Sequence, residues 1–136
     1  MRLRSPRPLE IIILISAILV VGRYLQLPIS VAVVAGPSMV PTLQPGDIVF
    51  LGTFPYDIGD VIMWCNNQLN CVLHRLVEIE GDAVITKGDA NPLPDPPVSR
   101  EMVRYKLLFS LPSYIWIPLY LGILGVSYWY EKKRFS

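Results

Sequence analysis

Ser38 sits between Pro37 and Pro41 in the run Ala-Gly-Pro-Ser-Met-Val-Pro-Thr-Leu, directly after a β-branched stretch. Proline fixes its own backbone torsion and restricts the residue before it, so this serine is carried on a stiff bend that holds its side chain at a set angle. His74 is the only histidine of the chain and lies within Val-Leu-His-Arg-Leu-Val, among apolar neighbours in a strand-like run. Imidazole is the usual side chain for taking a proton from serine near neutral pH. A hydroxyl on a sharp turn and such a base are two of the three parts of serine-based acyl transfer. The third part is a group that holds the base in the useful tautomer. Lys87 is the rival base, but a serine/lysine dyad needs a desolvated, neutral amine, and Asp89 two positions away works against that form. Each residue also has a plain structural use, the serine in a turn and the histidine half-buried against a backbone carbonyl.

The elements that must position these groups are strands. Ser30 to Ala35 is β-branched and ends at Gly36-Pro37. Asp47 to Leu51 follows the turn signal Gln44-Pro45-Gly46. Asp60 to Cys65 and Cys71 to Ile79 flank the polar loop Asn66 to Asn70, and Ala83 to Thr86 follows Glu80-Gly81-Asp82. Short strands at this spacing predict a mainly β domain over residues 28–106, a compact antiparallel sheet or barrel. After Gly88 the run Asp-Ala-Asn-Pro-Leu-Pro-Asp-Pro-Pro predicts a proline-stiffened loop that cannot join a sheet ladder. Cys65 and Cys71 close the polar loop and would face each other across a hairpin, as a disulfide or as a pair of free thiols. With one histidine they leave a zinc ligand set incomplete, and no metal or cofactor is expected.

The chain has 136 residues, 52% of them hydrophobic, and its mean hydropathy is +0.44, which is high for a small domain. The net charge of +1 gives no basic surface for nucleic acid. The apolar excess gathers at the ends. Residues 9–27 and 107–130 are each long enough to be read as a transmembrane helix. The second carries Tyr128, Trp129 and Tyr130 as an interfacial belt, and Arg23 marks the outer end of the first. Arg2, Arg4 and Arg7 in a tail over 1–8, and Lys132, Lys133 and Arg134 in a tail over 131–136, predict cytoplasmic ends and a catalytic domain on the extracytoplasmic side. Arg100, Arg104 and Lys106 run against this rule unless they dock on anionic headgroups. The first segment also has the make-up of a cleavable signal peptide, and the second could be a core helix.

The ordered set Gly-Pro-Ser-Met-Val-Pro-Thr-Leu, Pro-Gly-Asp-Ile-Val, Gly-Asp-Val-Ile, His-Arg-Leu-Val and Gly-Asp-Ala-Val-Ile-Thr-Lys-Gly-Asp-Ala-Asn resembles the type I signal peptidases. The resemblance covers nearly all of the middle domain and the first apolar segment. Bacterial members pair the serine with lysine, whereas archaeal and endoplasmic-reticulum members have histidine there, and His74 makes this chain similar to the second group. It implies Ser38 as nucleophile, His74 as general base, Asp95 as the orienting acid and Asp89 as an important neighbour, with Asp89 the alternative for the orienting role. It also implies an integral membrane protein, of an archaeal cell membrane or of the endoplasmic reticulum, that cleaves signal peptides from preproteins. Signal peptides, the lipid bilayer and the translocation channel would be its partners. The chain departs from the archaeal pattern Ser-Gly-Ser-Met at Gly36, which has no hydroxyl, and at Pro37, which has no N–H, so the oxyanion would rely on the Ser38 amide and one further donor. The rival functions are a dedicated maturation protease for one partner and an inactive membrane scaffold of the same ancestry.

Overall fold

The computed structural model of the chain describes residues 5–66 and 70–136. Among these residues, helix α1 (Pro8–Val21) precedes strands β1 (Ile29–Val33), β2 (Ile48–Gly52), β3 (Val61–Cys65), β4 (Cys71–Glu80), β5 (Ala83–Lys87) and β6 (Val98–Ser99). A 3-10 turn (Arg100–Met102), strand β7 (Val103–Leu111) and helix α2 (Ser113–Phe135) complete the chain. The strands form one antiparallel sheet in the order β1-β2-β7-β3-β4-β5-β6. Arg2 and Arg4 of the expected basic tail, and the middle of the Asn66–Asn70 loop, lie outside the described residues.

The predicted strands form, and their composition explains how they pack. β3 reads Val-Ile-Met-Trp-Cys without alternation because both of its faces are covered. Val61, Met63 and Cys65 join Met39, Leu43, Val49, Leu51 and Tyr105 on one side, while Ile62 meets Leu76 and Val84 on the other. Leu51, Ile62, Leu76 and Val84 are fully buried, and each such side chain contributes about 1.5–3 kcal/mol. Phe50 stacks on Phe109 across the β2–β7 pair with ring centroids 4.3 Å apart. Bulges at Phe50/Leu51, Met63/Trp64 and Leu76/Glu78 add local bends to the sheet. Cys65 and Cys71 are joined as a disulfide across the β3–β4 hairpin.

The expectation of two flanking transmembrane helices, and with it an integral-membrane location, is corrected. Among the described residues no helix is long and apolar enough to cross a membrane. α1 has 14 residues, about 21 Å of helix against the roughly 30 Å of a hydrocarbon layer. It ends at Val21, and the chain turns through residues 22–26, with Gln26 in the left-handed region at φ 54°. The second apolar segment is divided, since Leu107–Leu111 belongs to β7 and only the part from Ser113 is helical. α2 dilutes its aliphatic residues with Tyr114, Trp116, Pro118, Tyr120 and Ser127 before ending in Glu131, Lys132, Lys133 and Arg134. The β domain therefore reaches Leu111 rather than 106. Lys106, read as a headgroup contact, is 3.1 Å from Asp60 instead. The two helices pack on each other and on the sheet through Leu9 N–H to Glu131 Oε1 (2.7 Å), Tyr120 O–H to Ser16 Oγ (2.9 Å) and Ser30 O–H to the Leu19 carbonyl (3.0 Å).

Candidate active site

Ser38 lies in the turn that follows β1. Val40 N–H returns to the Pro37 carbonyl at 3.1 Å and Leu43 N–H to the Met39 carbonyl at 3.0 Å, closing the bend. Met39 and Leu43 plug the turn into the core, which leaves Ser38 half-buried at its edge. His74 is buried on β4, opposite Ile62 of β3. The sheet turns its imidazole toward the bend, and Nε2 stands 3.0 Å from Ser38 Oγ across 36 residues of sequence.

The other ring nitrogen, Nδ1, is 2.5 Å from Asp95 Oδ2. Asp95 rides on the proline-rich loop, which folds back on β5 through a bond from the Asp95 N–H to the Thr86 carbonyl at 2.8 Å. An ionised carboxylate only accepts, so the Nδ1 proton is assigned to the Asp95 bond, and Nε2 is left with the lone pair that accepts from the Ser38 hydroxyl. Thr86, unremarked in the sequence, donates its hydroxyl to the same Asp95 oxygen at 2.7 Å and accepts the Trp64 indole N–H at 3.0 Å.

Asp89 has a different place. It accepts both Arg75 Nε (2.9 Å) and Arg75 Nη2 (2.8 Å), and Thr42 Oγ1 at 2.5 Å, while Arg75 Nη1 donates to the Gly59 carbonyl at 2.7 Å. The fork-on-carboxylate geometry with Arg75 holds the Asp89 carboxyl below the usual carboxylate range, helped by Thr42 and opposed by partial burial. Asp89 in turn raises the guanidinium further. This clamp ties the Ser38 turn, through Thr42, to β4, through Arg75. Lys87 follows Thr86 on β5 and so projects to the opposite face of the sheet from the hydroxyl that meets Asp95. Among the described residues, no group of three or more His, Cys, Asp or Glu side chains could hold a metal ion.

A cleft of about 330 Å³ runs past the Ser38–His74 pair. Val33, Val34 and Ala35 form one wall, Val72 and Leu73 the other, and Met63 contributes to the lining between them. β1 is an edge strand, and β4 pairs with β5 only from Arg75 onward. Both walls therefore have a strand edge whose sheet bonding is unused among the described residues. Groups arranged in this way can take a proton from a hydroxyl, return it to a leaving group and align an extended peptide between two strand edges.

No family model matches the chain. Over 62 residues it is 34% identical to signal peptidase I of Bacillus caldolyticus, a match that takes in 42% of this chain and 34% of that protein. The match thus spans about a third of the length of that relative, and it gives the chain a signal-peptidase-like relationship.

Proposed function

We propose that the chain is a serine endopeptidase that removes N-terminal signal peptides from preproteins, with histidine rather than lysine as its base. The observation that carries this reading is the placement of His74 between two partners, Ser38 Oγ at 3.0 Å and Asp95 Oδ2 at 2.5 Å. The partial likeness to a signal peptidase supplies the reaction class. The histidine is the feature shared with the archaeal and endoplasmic-reticulum type.

In this mechanism the peptide lies in the cleft between Val33–Ala35 and Val72–Leu73. Ser38 Oγ attacks the scissile carbonyl carbon as its proton passes to His74 Nε2, and Asp95 stabilises the imidazolium that forms. The Ser38 N–H, which makes no hydrogen bond among the described residues, is available to the oxyanion. Collapse of the tetrahedral intermediate breaks the C–N bond, and His74 returns the proton to the departing amine of the mature protein. Water, deprotonated by His74, then releases the signal peptide from Ser38. Val33, Ala35, Met39 and Leu73 give the cleft an apolar, shallow lining that suits small side chains before the cut.

Incubating the purified chain with a preprotein bearing an Ala-x-Ala site, with mass spectrometry of the new N-terminus, tests the reading. Cleavage after the second alanine that is lost in Ser38→Ala is the expected result. An intact substrate, or cleavage undiminished in Ser38→Ala, would overturn it.

A further inference from the structure

Thr86 is 1% exposed and still carries a hydroxyl, and no step of the hydrolysis proposed above uses it. Its surroundings fix what that hydroxyl does. The Trp64 indole can only donate, and it reaches Thr86 Oγ1 at 3.0 Å, while the ionised Asp95 carboxylate can only accept, and its Oδ2 is 2.7 Å away on the other side. The Thr86 proton is therefore committed to Asp95. The same oxygen also receives His74 Nδ1–H, so a single carboxylate oxygen is held by two donors that converge on it.

Asp95 needs this support because of where it sits. Its loop contains Pro92, Pro94, Pro96 and Pro97, lacks the N–H groups for a sheet ladder and is largely exposed. The same threonine anchors it twice, by carbonyl to the Asp95 N–H at 2.8 Å and by hydroxyl to the carboxylate. Trp64 on β3 and Thr86 on β5 are brought together across β4, the strand that carries His74, so the relay is built into the sheet that holds the base.

We propose that Thr86, oriented by Trp64, is a positioning residue that fixes the Asp95 carboxylate and through it the tautomer and orientation of His74; its kinetic consequence rests on the serine-peptidase reading above. Because His74 is the sole histidine, nitrogen-15-labelled histidine reports on it alone, with or without a substrate. In the wild-type full chain, at a pH that keeps imidazole neutral, the spectrum should show one protonated and one unprotonated ring nitrogen. In Thr86→Val the two nitrogen signals should converge as the tautomers exchange, and in Thr86→Ser the wild-type pattern should return. The kinetic arm expects kcat to fall about tenfold in Thr86→Val with KM within about twofold. That loss should shrink to less than about twofold in an Asp95→Asn background, since Thr86 acts through Asp95. A Thr86→Val spectrum identical to wild type, or a loss of equal size with and without Asp95, overturns the proposal. If Thr86→Val does not fold by circular dichroism, Trp64→Phe carries the test, with the same convergence expected and an unchanged spectrum overturning it. Convergence in Thr86→Val together with an absence of Ser38-dependent cleavage would sink the peptidase reading and leave the positioning role standing.

Discussion

The backbone of Gly88 packs so closely on Ser38 that a methyl group added at Gly88 would lie 2.7 Å from the Ser38 carbonyl oxygen. Two residues on, the Ala90 N–H donates to that same carbonyl at 2.8 Å. The loop that carries Asp89 and Asp95 is therefore fastened to the backbone of the proposed nucleophile. Gly88→Ala must displace the Asn91 side chain, whose Nδ2 would lie 2.6 Å away, and must also push the Ser38 bend, because the Ser38 atom in its path is backbone. Misplacement by about 1 Å costs on the order of a hundredfold in rate, so kcat is expected to fall roughly ten- to a hundredfold in steady-state assays of the folded variant.

Asp89 and Asp95, six positions apart, should separate by phenotype. Ser38→Ala, His74→Ala and Asp95→Asn each remove a member of the Ser38–His74–Asp95 line and should lower kcat by on the order of 10³-fold or more. Asp89→Asn leaves that line intact, so it should spare most of kcat and lower the denaturation midpoint instead. Parallel kinetics and urea melts of the four variants check this, and equal kinetic losses at both aspartates would contradict it.

The Arg75–Asp89 clamp predicts a pH dependence of stability. The Asp89 carboxyl is held below its unfolded value, near 3.9, chiefly by the Arg75 hydrogen bonds. A depressed acid contributes its full stability above the unfolded pKa and loses it as pH falls through the folded one. Wild type should therefore lose stability below about pH 4, while Asp89→Asn, less stable at pH 7, should show a shallower decline. Chemical denaturation at a series of pH values reads both curves, and parallel curves would exclude the clamp as the cause.

The Cys65–Cys71 disulfide closes a short loop at the end of the β3–β4 hairpin, and Cys71 itself borders the cleft. For a loop of this length the cross-link is worth about 2 kcal/mol. Replacing both cysteines with alanine should lower stability by about that amount, and reduction of wild type by dithiothreitol should do the same. A thermal melt unaffected by reductant would count against it.

Turn chemistry and an isolated histidine made Ser38 and His74 legible in the sequence, and the strands around them follow from β-branched runs between Gly and Pro. Which of Asp89 and Asp95 lies against His74 was not fixed by spacing, because it depends on the proline loop folding back on Thr86. Thr86 and Trp64 are 22 residues apart and meet only through the β3–β4–β5 arrangement, so no local pattern marked them. β7 was hidden differently: Leu107–Leu111 runs on in composition into α2, and only Pro112 separates the strand from the helix. Apolar content at the chain ends was legible too. The turn over residues 22–26 that shortens α1, and the polar and aromatic residues of α2, carried more weight in the fold than that content suggested.

β7 lies between β2 and β3 although it follows both in the sequence. The serine bend hangs from the β1–β2 side and the imidazole from the β3–β4 side, and among the described residues Val103–Leu111 is the strand that pairs with both halves of the sheet. Until that segment leaves the ribosome, the strands destined to flank it have a gap of about 10 Å to hold open without support. On the proposed peptidase reading, the alignment of serine with imidazole therefore depends on a strand that follows both of them in the sequence.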